Sequence, residues 1–338
     1  MADEVNRKVV LVSRPKGEPT EANFRLESSP IPQAGPDEFL LRNHWLSVDP
    51  YMRGRMSDAP SYAKPVPIGG VMEGGTAGEV VQSNTERFAV GEFVVVRGGW
   101  QDYSVVPPGA QVGAYKVDPA DLPLQTALGV AGMPGATAYF GLLELGKPVA
   151  GETLVVSAAA GAVGSVVGQI GKLNGCRVVG IAGGPEKCGI CTEEFGFDAC
   201  IDYKGAADLP AALAEACPDG IDIYFENVGG EVLEAVIPLL NAGARMPICG
   251  FISQYNAAER RSPWDVIAQL ENPPEGRFFL VGEWAARTGE ATGALRGWVR
   301  EGKLRYRETI TEGLENAPSA FLGMLKGANI GKQLVKIV

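Results

Sequence analysis

The sequence contains a single histidine, His44, and none of its six cysteines precedes Cys176. Protein-bound zinc is usually held by several cysteine and histidine side chains. Cys188 and Cys191 have the spacing of half a zinc site, but no second pair follows at a suitable distance. We interpret this spacing as chance on a helix, and the sequence therefore predicts no metal site.

Basic residues are also outnumbered, and they form no continuous run. The chain has 30 lysines and arginines against 40 aspartates and glutamates, a net charge of −10 at pH 7. Binding to a phosphate backbone favours the opposite balance, so we expect no nucleic-acid partner. The sequence also shows no signal peptide and no membrane span, and its cysteines are scattered singly. These features favour a cytoplasmic protein with reduced thiols and no membrane partner.

Two different patterns divide the 338 residues. Short apolar runs broken by glycine and proline fill the first part and predict a small, barrel-like β-domain. From Pro134 onward, helical patterns alternate with β-branched strands, which indicates a parallel sheet with helices on both faces. We expect the β-domain over residues 1–126, completed by a β-rich tail at 303–338, and the parallel-sheet domain over 127–302. The predicted strands of the parallel sheet are 154–157, 177–182, 199–202, 221–225, 245–249 and 278–281.

A glycine-rich turn follows strand 154–157 and precedes a helix whose apolar residues recur at helical spacing. Ala159 occupies the first position of a dinucleotide fingerprint, Gly161 permits close approach of a pyrophosphate, and Gly164 permits close helix packing. A tight turn in another βαβ unit has a similar pattern, but the order of strand, turn and helix favours dinucleotide binding. The candidate binding residues in this turn are Ala159, Gly161, Ala162, Val163 and Gly164.

The second predicted strand lacks an acidic residue at its end. A protein that binds NAD usually places a carboxylate there, roughly 20 positions after the turn, to bind the ribose hydroxyls. Gly183 and Gly184 stand at this point, and Lys187 follows where its ammonium group can pair with a 2′-phosphate. A single lysine in a first helical turn is more often only solvated. The position of Lys187 nevertheless favours NADPH as the cofactor.

Motifs spread over nearly the whole chain carry a family resemblance. They are 49–56, 132–135, 158–164, 180–187, 226–230, 252–256 and 327–332. In this order they resemble the zinc-independent branch of the medium-chain dehydrogenase/reductase superfamily. In particular they resemble its double-bond reductases, which include bacterial NADPH-dependent curcumin reductase, plant alkenal reductase and mammalian prostaglandin reductase. The segments 51–62 and 100–103 resemble the curcumin reductase type.

The resemblance implies an α/β fold with a Rossmann doubly wound parallel sheet and a GroES-like β-barrel domain. It also implies that Lys187 meets the 2′-phosphate of NADPH and that Tyr203 packs near the adenosine. Asn227 and Asn329 would bind the nicotinamide half. Two simpler interpretations stay open, because Asn227 could only shape the turn after a strand and Tyr203 could be a surface aromatic residue.

The same resemblance implies that Tyr51, Met133 and Tyr255 line the substrate pocket. We add Tyr62 and Trp284 as candidate substrate-binding residues. Tyr51 and Tyr255 could instead be partly buried core tyrosines with satisfied hydroxyl groups.

The reaction most compatible with NADPH and no metal is hydride transfer to the β-carbon of an α,β-unsaturated carbonyl compound. Enones and enals, curcumin-like diarylheptanoids and oxidised-lipid enones belong to this class. We expect Tyr255 either to hydrogen-bond the enolate or to fix the nicotinamide ribose, with Tyr51 as a second donor or an aromatic wall. A quinone oxidoreductase and a non-catalytic NADPH-binding protein remain alternatives.

A homodimer is a further implication of the resemblance. The segment between Asn256 and Trp284 departs from the family pattern, because it is shorter than usual. In the family this segment would approach the substrate and the dimer partner, so the sequence does not define the substrate size or the subunit contacts.

Overall fold

The computed structural model describes residues 5–59, 61–257, 263–268 and 273–338. The chain divides into two compact units. Unit 1 comprises Met1–Gly129 and Glu308–Val338, and unit 2 comprises Val130–Arg307. Both dividing points lie a few residues after those expected from the sequence. Parts of the shortened segment, residues 258–262 and 269–272, lie outside the described residues.

The strands of the described residues follow in chain order. They are β1 (Val5–Leu11), β2 (Phe24–Pro30), β3 (Phe39–Ser47), β4 (Thr76–Ser83), β5 (Phe93–Val96), β6 (Tyr103–Val106), β7 (Tyr115–Val117), β8 (Thr153–Ser157), β9 (Arg177–Ala182), β10 (Ala199–Asp202), β11 (Ile221–Phe225), β12 (Leu240–Ile248), β13 (Glu275–Phe278), β14 (Glu308–Glu312) and β15 (Lys332–Lys336).

The helices are short, and none in the described part of the chain is long and apolar enough to cross a membrane. They are α1 (Met52–Arg55), α2 (Met133–Phe140), α3 (Gly164–Leu173), α4 (Pro185–Gly189), α5 (Leu209–Ala216), α6 (Gly230–Val236), α7 (Pro263–Ile267), α8 (Thr288–Arg300) and α9 (Ala317–Leu325).

Unit 1 is built on a largely antiparallel sheet with the order β14-β15-β3-β4-β5-β7, and β6 also pairs with β3. The C-terminal strand β15 pairs with β3, with Leu334 opposite Ser47. The tail also contributes Phe321, which packs edge-on against the fully buried Trp100 at 5.8 Å between ring centroids. Both the sheet and the core of unit 1 therefore include residues from the two ends of the chain.

Unit 2 contains a six-stranded parallel sheet with the order β10-β9-β8-β11-β12-β13. Every residue of β8 is buried, because this central strand is covered on both faces. The strand order reverses direction between β8 and β11. In an open parallel sheet, ligands bind outside the carboxyl ends of the strands at such a reversal.

Helix α3 packs closely because its glycines at positions 168 and 171 leave room for neighbouring side chains. A Cβ atom at position 168 would overlap the ring of Phe197, and one at position 171 would lie 2.5 Å from Leu154. The small residues of α3 thus allow the helix to follow β8 directly. The predicted strand, turn and helix are all present in this order.

Two strand predictions in unit 2 were wrong in their bounds. The predicted strand 245–249 is the end of the longer β12, and the strand predicted at 278–281 is β13, which ends at Phe278. Strand β13 is at the edge of the sheet, where polar residues such as Glu275 and Arg277 can pair with β12 without being buried. Phe279, in the predicted apolar run, is buried but lies just beyond the strand.

Candidate functional site

The glycine-rich turn joins β8 to α3 with a tight backbone path. Ala158 adopts a positive φ of 50°, and its carbonyl accepts a hydrogen bond from the amide of Gly161 at 2.9 Å. A Cβ atom at position 164 would overlap the same carbonyl oxygen, so only glycine fits there. Ala159 is fully buried, and its amide donates to the carbonyl of Ile181 on β9 at 3.0 Å. The turn is therefore held against the sheet.

The start of α3 offers backbone donors. Val163 is the N-cap residue. The amides of Ser165 and Val166 donate to the carbonyl oxygens of Gly161 and Val163, respectively. The amides of Val163 and Gly164 precede these and are among the first N–H groups of the helix, which have no intrahelical acceptor. Their partial positive charge favours an anion such as a pyrophosphate. This end of α3 therefore fits a dinucleotide.

A second group of predicted residues lies together at the carboxyl ends of β9 and β10. A Cβ atom at position 183 would lie 2.9 Å from Cε1 of Tyr203 and 3.0 Å from Cε of Lys204. Burial lowers the pKa of the Lys187 ammonium, and the nearby charge of Lys204 lowers it further. The structure thus brings Gly183, Lys187 and Tyr203 into one corner and adds Lys204. The sequence contains a signal for Lys204, since it follows the predicted strand 199–202 by two residues.

Asn227 is fixed at the carboxyl end of β11 by its contacts with β8. Its side-chain amide donates to the carbonyl oxygen of Ser157, and its backbone amide donates to Oγ of Ser157, both at 2.8 Å. Ser157 Oγ donates in turn to Oε1 of Glu226 at 2.9 Å. Asn227 therefore lies at the point where the strand order reverses.

Glu226 is a buried acid beneath this turn that the sequence analysis missed. Its side chain is fully buried, and Oε1 also accepts hydrogen bonds from the backbone amides of Val228 and Gly229 at 2.5 and 3.0 Å. Burial raises the pKa of its carboxyl group above the ordinary value. The available signal was an acidic residue directly after the apolar strand 221–225, since a buried acid needs nearby donors.

The segment that carries Tyr255 is hydrogen-bonded to the Asn227 turn. The amide of Ile252 donates to the carbonyl of Asn227, and the amide of Ser253 donates to the carbonyl of Val228, both at 3.1 Å. The hydroxyl oxygen of Tyr255 would lie 2.8 Å from a Cβ atom at position 250, where the chain has glycine. The structure therefore brings Tyr255 and Asn227 into the same part of unit 2.

Met133 and Trp284 are placed differently within unit 2. Met133 is the first residue of α2 and is exposed. Trp284 stacks on Phe140, the last residue of α2, with ring centroids 5.3 Å apart, and it contacts Phe279 edge-on. Met133 and Phe140 are about 10 Å apart along the helix axis. Trp284 thus belongs to an aromatic cluster at the other end of α2 from Met133.

In unit 1, Tyr51 and Tyr62 are connected by Arg55. The guanidinium carbon of this buried arginine lies 4.4 Å from the ring centroid of Tyr62 and 5.9 Å from that of Tyr51. Arg55 also donates to the carbonyl of Ala63 at 2.9 Å. Burial raises the pKa of the Tyr51 hydroxyl, and nearby Asp49 raises it further. The two predicted tyrosines therefore share one support, which the sequence analysis missed.

Asn329 lies in the loop between α9 and β15, where its side chain donates to the carbonyl of Gly331 at 2.7 Å. The next strand begins with Lys332, whose buried ammonium group donates to Asp49 at 3.0 Å and to the carbonyl of Val48 at 2.6 Å. This ion pair joins the motif that contains Asn329 to the motif that contains Tyr51.

The pair of cysteines with zinc-like spacing lies within one helical segment. Cys188 lies on α4 and Cys191 in the helical turn that follows it, and both have free thiols. Among the residues that the structure describes, no group of three or more histidine, cysteine, aspartate or glutamate side chains is placed to hold a metal ion.

Comparison with known families gives matches in both units. A model described as the N-terminal domain of oxidoreductase matches residues 7–113. A model described as zinc-binding dehydrogenase matches residues 162–270.

Individual proteins match over almost the whole chain. NADPH-dependent curcumin reductase of Escherichia coli is 50% identical over 340 residues, which covers 98% of this chain and 97% of that protein. The NADP(+)-dependent 2-alkenal reductase of Nicotiana tabacum is 38% identical, with 100% and 99% covered. The crystal structure of CurA from Vibrio vulnificus in complex with NADPH is 51% identical and superposes with a TM-score of 0.92, covering 98% of this chain and 99% of that one. The predicted fold class, a Rossmann domain with a GroES-like domain, is thereby confirmed.

Proposed function

The chain belongs to the NADPH-dependent double-bond reductases of the medium-chain dehydrogenase/reductase family, and we propose that it reduces α,β-unsaturated carbonyl compounds with NADPH. The hydride is delivered to the β-carbon of the enone or enal, and a proton is added at the α-carbon. The observation that carries this proposal is the arrangement at the carboxyl ends of β8, β9 and β11. There the corner around Gly183, the glycine turn and the joined segments of Asn227 and Tyr255 follow one another along the sheet.

The residues of unit 2 fit each part of NADPH. The turn from Ala159 to Gly164 receives the pyrophosphate, Lys187 and Tyr203 receive the adenosine 2′-phosphate end, and Asn227 receives the nicotinamide half. Asn329 of unit 1 is proposed to bind the nicotinamide half as well. Bound NADPH supplies the hydride. The protein supplies orientation and the electrostatic stabilisation of the oxygen on which negative charge develops.

Tyr255 is proposed as the hydroxyl donor for the reaction. Its segment is hydrogen-bonded to the Asn227 turn, so the residue that orients the nicotinamide also positions the tyrosine. The hydroxyl either donates to the enolate oxygen or holds the nicotinamide ribose. A donor to this oxygen lowers the barrier, because negative charge develops there as the neutral enone approaches the transition state.

Tyr51 is proposed as a second substrate-binding tyrosine. Its hydroxyl keeps its proton at neutral pH, because the ordinary pKa of tyrosine is about 10 and burial and Asp49 raise it further. A protonated phenol can donate a hydrogen bond to a carbonyl oxygen, whereas a phenolate cannot. Tyr62 and Met133 are exposed and are proposed as apolar contacts for the substrate. Trp284 is proposed for the same role, with its position set by Phe140.

The reaction is proposed to need no protein-bound zinc, although one matching family model is described as zinc-binding. Zinc alcohol dehydrogenases polarise the substrate oxygen with a metal held by cysteine and histidine. In this chain the first cysteine is Cys176 and the only histidine is His44. His44 packs edge-on against Phe93 within unit 1, with ring centroids 5.7 Å apart. Hydroxyl donors therefore take the role of the metal.

We further propose a cytoplasmic homodimer. The free cysteines suit a reducing compartment, in which NADPH is also a common reductant. Strand β13 is at the edge of the parallel sheet, and Phe278 and Trp264 beside it are exposed. Pairing of this edge with a second copy would cover both its backbone and these apolar side chains. Light scattering after gel filtration tests the dimer, and a monomeric mass would contradict it.

An acceptor panel tests the proposed function. Purified protein is incubated with NADPH and, separately, an enone, a quinone and a saturated aldehyde, and the products are identified by mass spectrometry. We expect the saturated ketone from the enone and little turnover of the aldehyde. A hydroquinone as the only product would indicate a quinone oxidoreductase, and tight NADPH binding without any turnover would indicate a non-catalytic binding protein.

A further inference from the structure

Lys204 lies beside Gly183, and its charge acts on that of Lys187, which lies on α4. We propose that Lys204 is a second cation for the 2′-phosphate of NADPH, and that Lys187 and Lys204 together set the preference for NADPH over NADH. The inference rests on the proposed function, because it assigns a further residue to the same cofactor. The sequence alone assigns this phosphate a single cationic partner, Lys187.

The side chain of Lys204 is exposed, and its methylene groups pass over Gly183. Its Cδ and Cε atoms lie 3.3 and 3.0 Å from the position that a Cβ atom would take at residue 183. Its ammonium nitrogen lies 5.9 Å from the ring centroid of Tyr203. Gly183 is the first residue after β9, where the adenosine ribose of a dinucleotide lies in this fold. Lys204 is therefore within reach of a group on the ribose 2′-oxygen.

One carboxylate links the start of α4, which carries Lys187, to the loop that carries Lys204. Oδ1 of Asp202 accepts hydrogen bonds from the amide of Gly184 at 2.7 Å and from the amide of Lys204 at 3.0 Å. These backbone donors lower the pKa of the Asp202 carboxyl group. The carboxylate of Asp202 thus joins the backbone that follows β9 to the backbone that follows β10. Since β9 and β10 are paired neighbours, the segments that carry the two lysines leave the sheet side by side.

The charges at this corner favour an anion with more than one negative charge. The charge of Lys204 lowers the pKa of Lys187, which means that the two ammonium groups repel each other. The acidic residues nearby are Glu186, which acts on Lys187, and Asp202. A phosphate monoester carries a charge of about −1.5 to −2 at neutral pH and can pair with both lysines. A ribose 2′-hydroxyl can pair with neither charge.

The test uses two small probes that differ only in this phosphate. Binding of 2′,5′-ADP and of 5′-AMP is measured by calorimetry for the full-length wild type, K204Q, K204R and K187Q. The control variant is K303Q, because Lys303 is an exposed lysine of the same unit that pairs with Glu301 at 2.7 Å. NADPH-dependent enone reduction by the wild type is measured on the same preparation.

We expect K204Q to weaken 2′,5′-ADP binding about tenfold, as for the loss of one charge-assisted hydrogen bond. Binding of 5′-AMP should stay unchanged, K204R should retain most of the affinity, and K303Q should match the wild type with both probes. Unchanged 2′,5′-ADP binding in K204Q would overturn the proposal, as would an equal loss of both probes. If the wild type still reduces enones with NADPH, the proposed function stands even when the role of Lys204 fails.

Discussion

The methyl group of Ala159 occupies space that Gly180 leaves open on the neighbouring strand. A Cβ atom at position 180 would lie 2.8 Å from the Cβ of Ala159. The dinucleotide fingerprint usually has glycine at the position of Ala159. Here the missing side chain is on the facing strand, so the turn can keep its tight path with alanine in the first position.

This relationship predicts the effect of Gly180→Ala. The new methyl group collides with Ala159 and also approaches Cys200 and Phe197 at 3.1 Å, so the variant should be less stable and bind 2′,5′-ADP more weakly. Adding Ala159→Gly should restore part of both losses, because it removes one of the collisions. Thermal unfolding and calorimetry measure the two quantities. A double variant no better than Gly180→Ala would contradict the account of the turn.

Glu226 should make stability depend on pH. Burial raises the pKa of its carboxyl group above the ordinary value of 4.5. A raised carboxyl pKa favours the folded state at low pH, and this contribution is lost as the pH rises through the raised pKa. The matched replacement is Glu226→Gln, because glutamine cannot ionise but keeps an oxygen acceptor for Ser157, Val228 and Gly229.

The free energy of unfolding of Glu226→Gln should increase relative to that of the wild type as the pH rises from about 4.5 towards neutrality. Urea unfolding at a series of pH values measures this difference. The control is Glu301→Gln, which changes an exposed acid of the same unit. A difference between the wild type and Glu226→Gln that does not change with pH would contradict the assigned burial of the charge.

Tyr255→Phe should lower kcat for enone reduction by at least about tenfold, because a donor to developing negative charge is lost. The affinity for NADPH distinguishes the two possible roles of the hydroxyl. It stays unchanged if the hydroxyl serves the enolate, and it weakens if the hydroxyl holds the ribose. Tyr139→Phe is the control, since this hydroxyl binds Glu290 in the same unit. Full activity of Tyr255→Phe would refute a polar role.

Lys332→Met should destabilise the protein by about 3–5 kcal/mol, because it leaves Asp49 buried without its cation. Lys336→Met is the control on the same strand. Its exposed ammonium group lies 3.7 Å from Glu312, and loss of a surface pair costs about 0–1 kcal/mol. Urea unfolding measures both variants. Equal stability of the two would contradict the importance of the buried ion pair.

The sequence predicted the parallel sheet well, because its buried central strands are continuous apolar runs followed by helical patterns. The bounds of β9, β10 and β11 are those predicted. The edge strand β13 was misplaced, because it needs no apolar run and its bounds depend on pairing with β12. Hydrophobic pattern alone cannot locate such a strand.

The site was predicted less completely for a physical reason. Glycines and the absent acid after β9 leave a local signal, since they affect the residues next to them in sequence. Ser157 and Arg55 act through contacts with residues that the fold brings near, and nothing beside them in sequence reveals those contacts. For Glu226 the one local signal is its place directly after the strand 221–225. Lys204 lies between these two cases. The strand that precedes it was predicted, but the path of its side chain over Gly183 was not.

The most direct test of the enone reductase assignment follows the hydride itself. NADPH that carries deuterium at the transferred position of the nicotinamide is incubated with the enzyme and an enone, and the product is analysed by NMR. The account predicts a saturated ketone with deuterium at the β-carbon and with a solvent-derived proton at the α-carbon. Deuterium on the carbonyl carbon, in an allylic alcohol, would contradict it.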